Sequence, residues 1–112
     1  MKMPVSNNTL THLTPLESTV LLIDDDTVLL QTMARALKDD YKVKVATDGL
    51  AGLTIIEADP KIDLIILDIM MPGIKGFDVC KRIKSNPKLH NIPIIFVTAL
   101  SDLPDKTKAF NL

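Results

Sequence analysis

The sequence of 112 residues has no tryptophan, a single cysteine and only 4% aromatic residues. One cysteine can neither close an intrachain disulfide nor build a structural zinc site from thiolates. No apolar run approaches the roughly 20 residues that a membrane-spanning helix requires, and no apolar segment follows Lys2 as in a signal peptide. We therefore expect a cytoplasmic protein with no membrane contact and an aliphatic core.

An excess of charge of either sign is also absent. The 13 lysines and arginines nearly balance the 14 aspartates and glutamates, so the formal net charge is −1. A surface dedicated to nucleic acid usually needs a basic excess, and we expect no direct nucleic-acid binding. With 46% hydrophobic and 24% charged residues, the composition is typical of one globular domain.

The chain divides into a polar leader and an apolar, periodic body. Residues 1–18 are rich in Ser, Thr, Asn and Pro, which predicts a flexible leader before a domain at 19–112. Three short apolar segments and one segment of alternating polar and apolar residues, the second, predict strands in that domain, and amphipathic helical segments follow the first three. The predicted strands are 19–23, 41–46, 62–67 and 92–97. This alternation indicates an α/β, doubly wound parallel sheet with helices on both faces.

Three of the predicted strands end in polar side chains. Asp24, Asp25 and Asp26 follow the first strand, Asp68 follows the third and Thr98 follows the fourth. The carboxyl ends of parallel strands meet at one edge of an open α/β sheet, where ligands bind. Clustered carboxylates repel one another unless a proton or cation compensates, and an all-oxygen acidic pocket suits Mg²⁺ or Mn²⁺. The alternative is helix capping, which is the role that we expect for Asp26.

Three segments carry a family resemblance: VLLIDDD at 20–26, DLIILDIMMPGIKGFDVCKRIK at 63–84 and IPIIFVTA at 92–99. They resemble the receiver domain of two-component response regulators, and the resemblance extends from about Thr19 to the last residue. It implies a flavodoxin-like sheet with strand order 2-1-3-4. A fifth strand and a fifth helix complete the family's fold, and we expect both to be missing from this chain.

The resemblance also implies a function, phosphoryl acceptance in a two-component phosphorelay, with a role for particular residues. Asp68 would be the phosphoacceptor and would receive the group from a histidine kinase or a histidine phosphotransfer protein. Asp24 and Asp25 would hold Mg²⁺ (or Mn²⁺) together with Asp68 and the backbone carbonyl of Met70. Thr98 would donate a hydrogen bond to a phosphoryl oxygen and reorient on phosphorylation.

Pro72 and Gly76 match the family and would shape the loop after Asp68, but two departures lead to further expectations. Lys75 stands where many receivers carry an acid, and we expect a modest electrostatic effect from it. The family's fifth-strand lysine, which pairs with the phosphoryl group, is missing. Without a fifth strand the apolar fourth strand would be an exposed edge. We therefore expect a homodimer paired through this strand, or a chain of poor stability alone.

Two other functions fit parts of the sequence. Residues 24–28 resemble the D-x-D-x-T/V motif of haloacid-dehalogenase-type phosphatases, in which Asp24 would be the nucleophile and Asp26 the acid/base. That family leaves the segment from Asp68 to Gly76 unexplained, and the chain is short for such an enzyme. A degenerate receiver that serves only as an interaction module is the second alternative, favoured by the missing lysine. In the leading interpretation, the chain is no enzyme beyond its own phosphotransfer and dephosphorylation.

Overall fold

Four strands alternate with three helices in a computed structural model of the protein, which describes residues 17–71 and 73–97. In chain order the elements are β1 (Thr19–Ile23), α1 (Thr27–Leu37), β2 (Lys42–Ala46), α2 (Gly49–Ala58), β3 (Leu64–Asp68), α3 (Gly76–Ser85) and β4 (Ile94–Val97). The strands form one parallel sheet in the order β2-β1-β3-β4. The predicted α/β fold and its 2-1-3-4 order are confirmed. Most of the predicted leader, and all residues from Thr98 onward, lie outside the described residues.

Strand β1 is the centre of the sheet, and all five of its residues are buried. It pairs with β2 on one side and with β3 on the other. Strand β2 lies at the edge and exposes Lys42 and Lys44, and charged side chains of this kind discourage pairing with other chains. Because β1 is paired with β3, its carboxyl end lies beside that of β3, inside the sheet and not at its edge.

Strands β3 and β4 begin two residues later than the apolar runs predict. The backbone nitrogen of Ile62 donates to the carbonyl of Asp59, and that of Ile92 donates to the carbonyl of Leu89. These turn hydrogen bonds hold both isoleucines outside the strand ladder. Both side chains are nevertheless buried in the core. The apolar runs thus mark burial correctly, whereas the strands begin only where interstrand hydrogen bonding begins.

Both faces of the sheet carry a hydrophobic core, and the core is aliphatic as expected. Leu21 and Ile23 of β1 pack with buried residues of α2 and α3 on one face. Val20 and Leu22 of the same strand pack with Leu30 of α1 on the other face. Because successive side chains of a strand point to opposite faces, a fully apolar β1 requires helices on both sides. This double cover holds the ends of the strands in fixed positions.

The helices begin in two different ways near the carboxyl edge of the sheet. Asp26 caps α1 by accepting a 3.0 Å hydrogen bond from the backbone nitrogen of Leu29, and Asp48 caps α2 through a 2.7 Å bond from Ala51. The expected capping role of Asp26 is confirmed. Lys75 precedes α3 and makes no capping hydrogen bond with its side chain. None of the helices described here is long and apolar enough to cross a membrane.

Candidate functional site

Three carboxylates meet at the carboxyl edge of the sheet. Asp24, Asp25 and Asp68 each offer one oxygen, and these oxygens all lie within 4.8 Å of one another. The proximity follows from the register, because Ile23 of β1 is paired with Leu67 of β3 and the aspartates come next along both strands. The predicted cluster of these three residues is therefore present in the structure.

Burial differs among the three acids. Asp24 is 3% exposed and Asp68 is 7% exposed, whereas Asp25 is open to solvent. Removing a carboxylate from water disfavours its charged form. The two buried acids therefore depend on their surroundings for stabilisation, and the exposed one can rely on water.

Backbone donors satisfy only part of each buried carboxylate. The backbone nitrogen of Asp26 donates to Oδ1 of Asp24 at 2.8 Å, and that of Met70 donates to Oδ1 of Asp68 at 3.3 Å. A carboxylate can accept about four hydrogen bonds, so both acids keep lone pairs for a further partner. The side chain of Asp26 caps α1 instead.

The ionised carboxylates of the cluster are destabilised and would be stabilised by a positive charge. Burial raises the pKa of the Asp68 carboxyl to about 7, and the charge of Asp24 acts in the same direction, while the hydrogen bond from Met70 opposes them. Burial likewise raises the pKa of Asp24. Without a compensating group, a pKa of about 7 leaves the Asp68 carboxyl partly protonated near neutral pH. An all-oxygen set of one exposed and two buried carboxylates fits a small hard cation such as Mg²⁺ or Mn²⁺.

The loop after Asp68 returns tightly against the strand that it leaves. The backbone nitrogen of Gly76, the first residue of α3, donates to the carbonyl of Ile69 at 3.1 Å. A β-carbon added at Gly76 would collide with the backbone oxygen of Asp68 and lie 2.9 Å from the α-carbon of Ile69. The start of α3 therefore rests directly on the backbone of the aspartate, and glycine is needed there.

Several residues with expected roles are not placed by the structure. Thr98 lies outside the described residues, and so does Pro72. The backbone nitrogen of Met70 contacts Asp68, whereas the expected role of its carbonyl stays a prediction. One close contact has no counterpart in the sequence-based predictions, namely that between Gly49 of α2 and Ile74 of the loop after β3. The Asp-Gly pair at 48–49 predicts only a turn.

The fold and the acidic edge together define a doubly wound α/β domain with a cluster of three carboxylates at the carboxyl ends of its strands. A sequence profile described as the response regulator receiver domain matches residues 20–112. The chain belongs to this family, and it is a phosphoacceptor signalling module. The match along nearly the whole body of the chain favours this function over the phosphatase alternative.

Curated relatives and solved structures agree with the family assignment. The chain is 38% identical over 96 residues to a probable cyclic di-GMP phosphodiesterase of Vibrio cholerae, covering 86% of this chain and 22% of that protein. It is 35% identical over 94 residues to the DNA-binding dual master transcriptional regulator RpaA of Synechocystis sp., covering 82% of this chain and 38% of that one. The chain thus spans well under half of the length of these relatives.

Two solved structures illustrate the similarity of the fold. The chemotaxis protein CheY4 of Vibrio cholerae matches with a TM-score of 0.72 at 29% identity, covering 82% of this chain and 76% of that chain. The Mn²⁺-bound form of the response regulator Rcp1 matches with a TM-score of 0.68 at 30% identity, covering 82% and 72%. That structure holds a divalent ion, which agrees with the donor set found at Asp24, Asp25 and Asp68.

Proposed function

We propose that Asp68 is the phosphoacceptor of this chain and that Mg²⁺ binds beside it, held by Asp24, Asp25, Asp68 and the backbone carbonyl of Met70. The observation that carries the proposal is the convergence of three carboxylate oxygens within 4.8 Å at a buried strand end. The phosphoryl donor is a histidine kinase or a histidine phosphotransfer protein. In this reaction each domain is the acceptor of one phosphoryl group.

The choice of Asp68 over Asp24 rests on how firmly each carboxylate is engaged. Asp24 accepts a short bond of 2.8 Å from the backbone of Asp26. The bond that Met70 donates to Asp68 is longer, at 3.3 Å, and hydrogen bonds weaken with distance. Asp68 is therefore the less tightly held of the two carboxylates, and it lies in the segment that most resembles the family.

The transfer is a displacement at phosphorus. An oxygen of Asp68 attacks the phosphoryl group of a phosphohistidine, the phosphorus–nitrogen bond breaks, and its electron pair stays on the imidazole nitrogen. The product is an acyl phosphate on Asp68. A bound divalent ion supplies neutralisation of phosphoryl charge. The protein contributes by keeping Asp68 in place through Met70 and by holding Asp24 and Asp25 where their charges attract the ion.

Thr98 is the proposed hydrogen-bond donor to the phosphoryl group and the residue that switches. Support comes from strand register, because Val97 of β4 is the partner of Asp68 in β3 and Thr98 follows next along the chain. Phosphorylation adds charge and acceptor oxygens at Asp68. A hydroxyl close to that position can respond to the change and pass it to the chain that follows β4.

We propose a cytoplasmic location and no direct contact with nucleic acid or membrane. Homodimerisation through β4 stays a prediction, supported by its place at the edge of the described sheet. A purely interacting receiver that accepts no phosphate is the alternative, and the labelling experiment below separates it from the proposal.

The test is chemical trapping of the acyl phosphate. The full chain is incubated with acetyl phosphate and Mg²⁺, reduced with borohydride and mapped by mass spectrometry. We expect the modification on Asp68, its loss in Asp68→Asn, and wild-type labelling in Asp48→Asn, a matched control in which asparagine can still cap α2. Label on Asp24 would support the phosphatase instead, and no label on any residue would support the interaction module.

A further inference from the structure

We propose that Gly49, at the start of α2, is a positioning residue for the loop that follows Asp68. Helix α2 contributes no carboxylate to the acidic cluster, yet it contacts this loop directly. The inference rests on the proposed function, because the loop matters through Asp68 and Met70. It goes further by assigning a role in the phosphoacceptor site to an element that supplies none of its carboxylates.

The contact between Gly49 and the loop leaves no room for a side chain. A β-carbon at Gly49 would collide with Cγ2 of Ile74, lie 2.7 Å from Cγ2 of Val79 and lie 3.3 Å from the backbone oxygen of Ile74. Val79 belongs to α3 and is fully buried in the core, so it has little freedom to withdraw. Ile74 is only half-buried, and the loop is therefore the part that must yield.

The loop transmits such a displacement towards the site because its far end is held. Gly76 is bonded to the carbonyl of Ile69 and rests on the backbone of Asp68. Gly73 adopts a positive φ of 76°, and a β-carbon added there would meet nothing within 4 Å, so no packing at Gly73 opposes a shift of Ile74. With Gly76 held and nothing packed at Gly73 to resist, a shift of Ile74 is passed along the chain towards Met70, whose backbone nitrogen donates to Asp68.

A second glycine of the same helix provides a matched control. At Gly52 an added β-carbon would collide with Cδ1 of Ile23 and lie 2.9 Å from its Cγ1. The crowding is similar to that at Gly49, but the neighbour is the buried side chain of Ile23 in β1 and not the loop. Gly52→Ala therefore measures the cost of a methyl group on α2 without pressure on Ile74.

The experiment compares Gly49→Ala, Gly52→Ala and the double variant Gly49→Ala/Ile74→Ala in the full chain. Amide hydrogen exchange at Met70 and Gly76 reports on the loop in the absence of metal, and titration with Mg²⁺ alone reports on the site. We expect Gly49→Ala to speed exchange at Met70 and to weaken Mg²⁺ binding by roughly tenfold, the lower end of the effect of outer-shell changes on metal affinity. Gly52→Ala presses on the side chain before Asp24 and not on the loop, so it should change exchange at Met70 less than twofold, and the double variant should recover most of the loss seen in Gly49→Ala.

Each outcome decides the matter. Equal Mg²⁺ affinity in Gly49→Ala and wild type, or equal changes of exchange at Met70 in Gly49→Ala and Gly52→Ala, would overturn the positioning role while leaving the proposed function intact. Failure of Ile74→Ala to rescue would also overturn it. If wild type itself binds no Mg²⁺ and takes no label on Asp68, the proposed function fails. In that case, unchanged exchange at Met70 in Gly49→Ala would separately refute the inference that the contact between Gly49 and Ile74 positions the loop.

Discussion

Asp24 and Asp68 lie side by side at the ends of two adjacent parallel strands. Each follows directly after one of two register partners, Ile23 of β1 and Leu67 of β3. Both are buried, and each receives a hydrogen bond from the backbone two residues further on. Two carboxylates in such a position cannot both be ionised cheaply without positive charge nearby. The acidity of this pair therefore couples the stability of the fold to pH and to cations.

Stability of the metal-free chain should fall as the pH rises from about 4 to about 7. The pKa of Asp68 is raised from 3.8 to about 7 in the folded state, so the folded chain binds more protons than the unfolded chain in this window. Unfolding free energy must then decrease with pH. Asp68→Asn should remove up to about 1.4 kcal/mol per pH unit from this slope, as measured by urea unfolding in a chelator. An unchanged slope in Asp68→Asn, with Asp48→Asn as control, would contradict the prediction.

Mg²⁺ should raise the melting temperature, and more at pH 7.5 than at pH 5.5. A ligand that binds only the folded chain stabilises it by mass action, and the ion competes with the proton that a raised pKa keeps on Asp68. Thermal unfolding with and without Mg²⁺ at both pH values measures the effect. Asp25→Ala should lose most of the response, because one of the three converging oxygens is removed. A response in Asp25→Ala equal to that of wild type would exclude Asp25 as a ligand.

Replacing Lys75 with serine should stabilise the chain by about 1 kcal/mol, the usual size of an N-cap effect. Lys75 occupies the N-cap position of α3 and makes no side-chain hydrogen bond there, whereas the caps of α1 and α2 are aspartates that do. Serine would accept from the first turn and remove a cation from the positive end of the helix dipole. Urea unfolding compares this variant with Lys88→Ser, which removes the same charge away from any helix start. Equal stability of the two variants would show that the cap is irrelevant.

Much of the fold was predictable because buried segments must be apolar, and apolar segments can be recognised in the sequence. The bounds of β1 agree with the predicted 19–23, since a strand buried on both faces must be apolar throughout. The acidic cluster was predictable for an equally general reason. It requires only that parallel strands end at the same edge, so that Asp24 and Asp68 meet.

The remaining features depend on distances that sequence patterns do not carry. Helix α2 approaches Ile74 through Gly49, and these positions are far apart in the chain. The sequence-based interpretation of Lys75 was a modest electrostatic effect, whereas its place at the start of α3 appears only once that helix is seen to begin at Gly76. The contact of Gly49 and the position of Lys75 both depend on packing between elements, whereas sequence periodicity describes each element alone.

Replacing Gly76 with alanine should cost about 3 kcal/mol, at the upper end of overpacking effects, even though alanine is a better helix former. The added β-carbon would meet the backbone oxygen of Asp68 and the α-carbon of Ile69, and backbone atoms of a central strand cannot move aside. Gly73→Ala is the matched comparison, because its neighbourhood is open and only its φ of 76° opposes a side chain, at about 1 kcal/mol. Urea unfolding of both variants gives the two costs. A loss in Gly76→Ala no larger than that in Gly73→Ala would mean that the start of α3 does not rest on the strand end that holds Asp68.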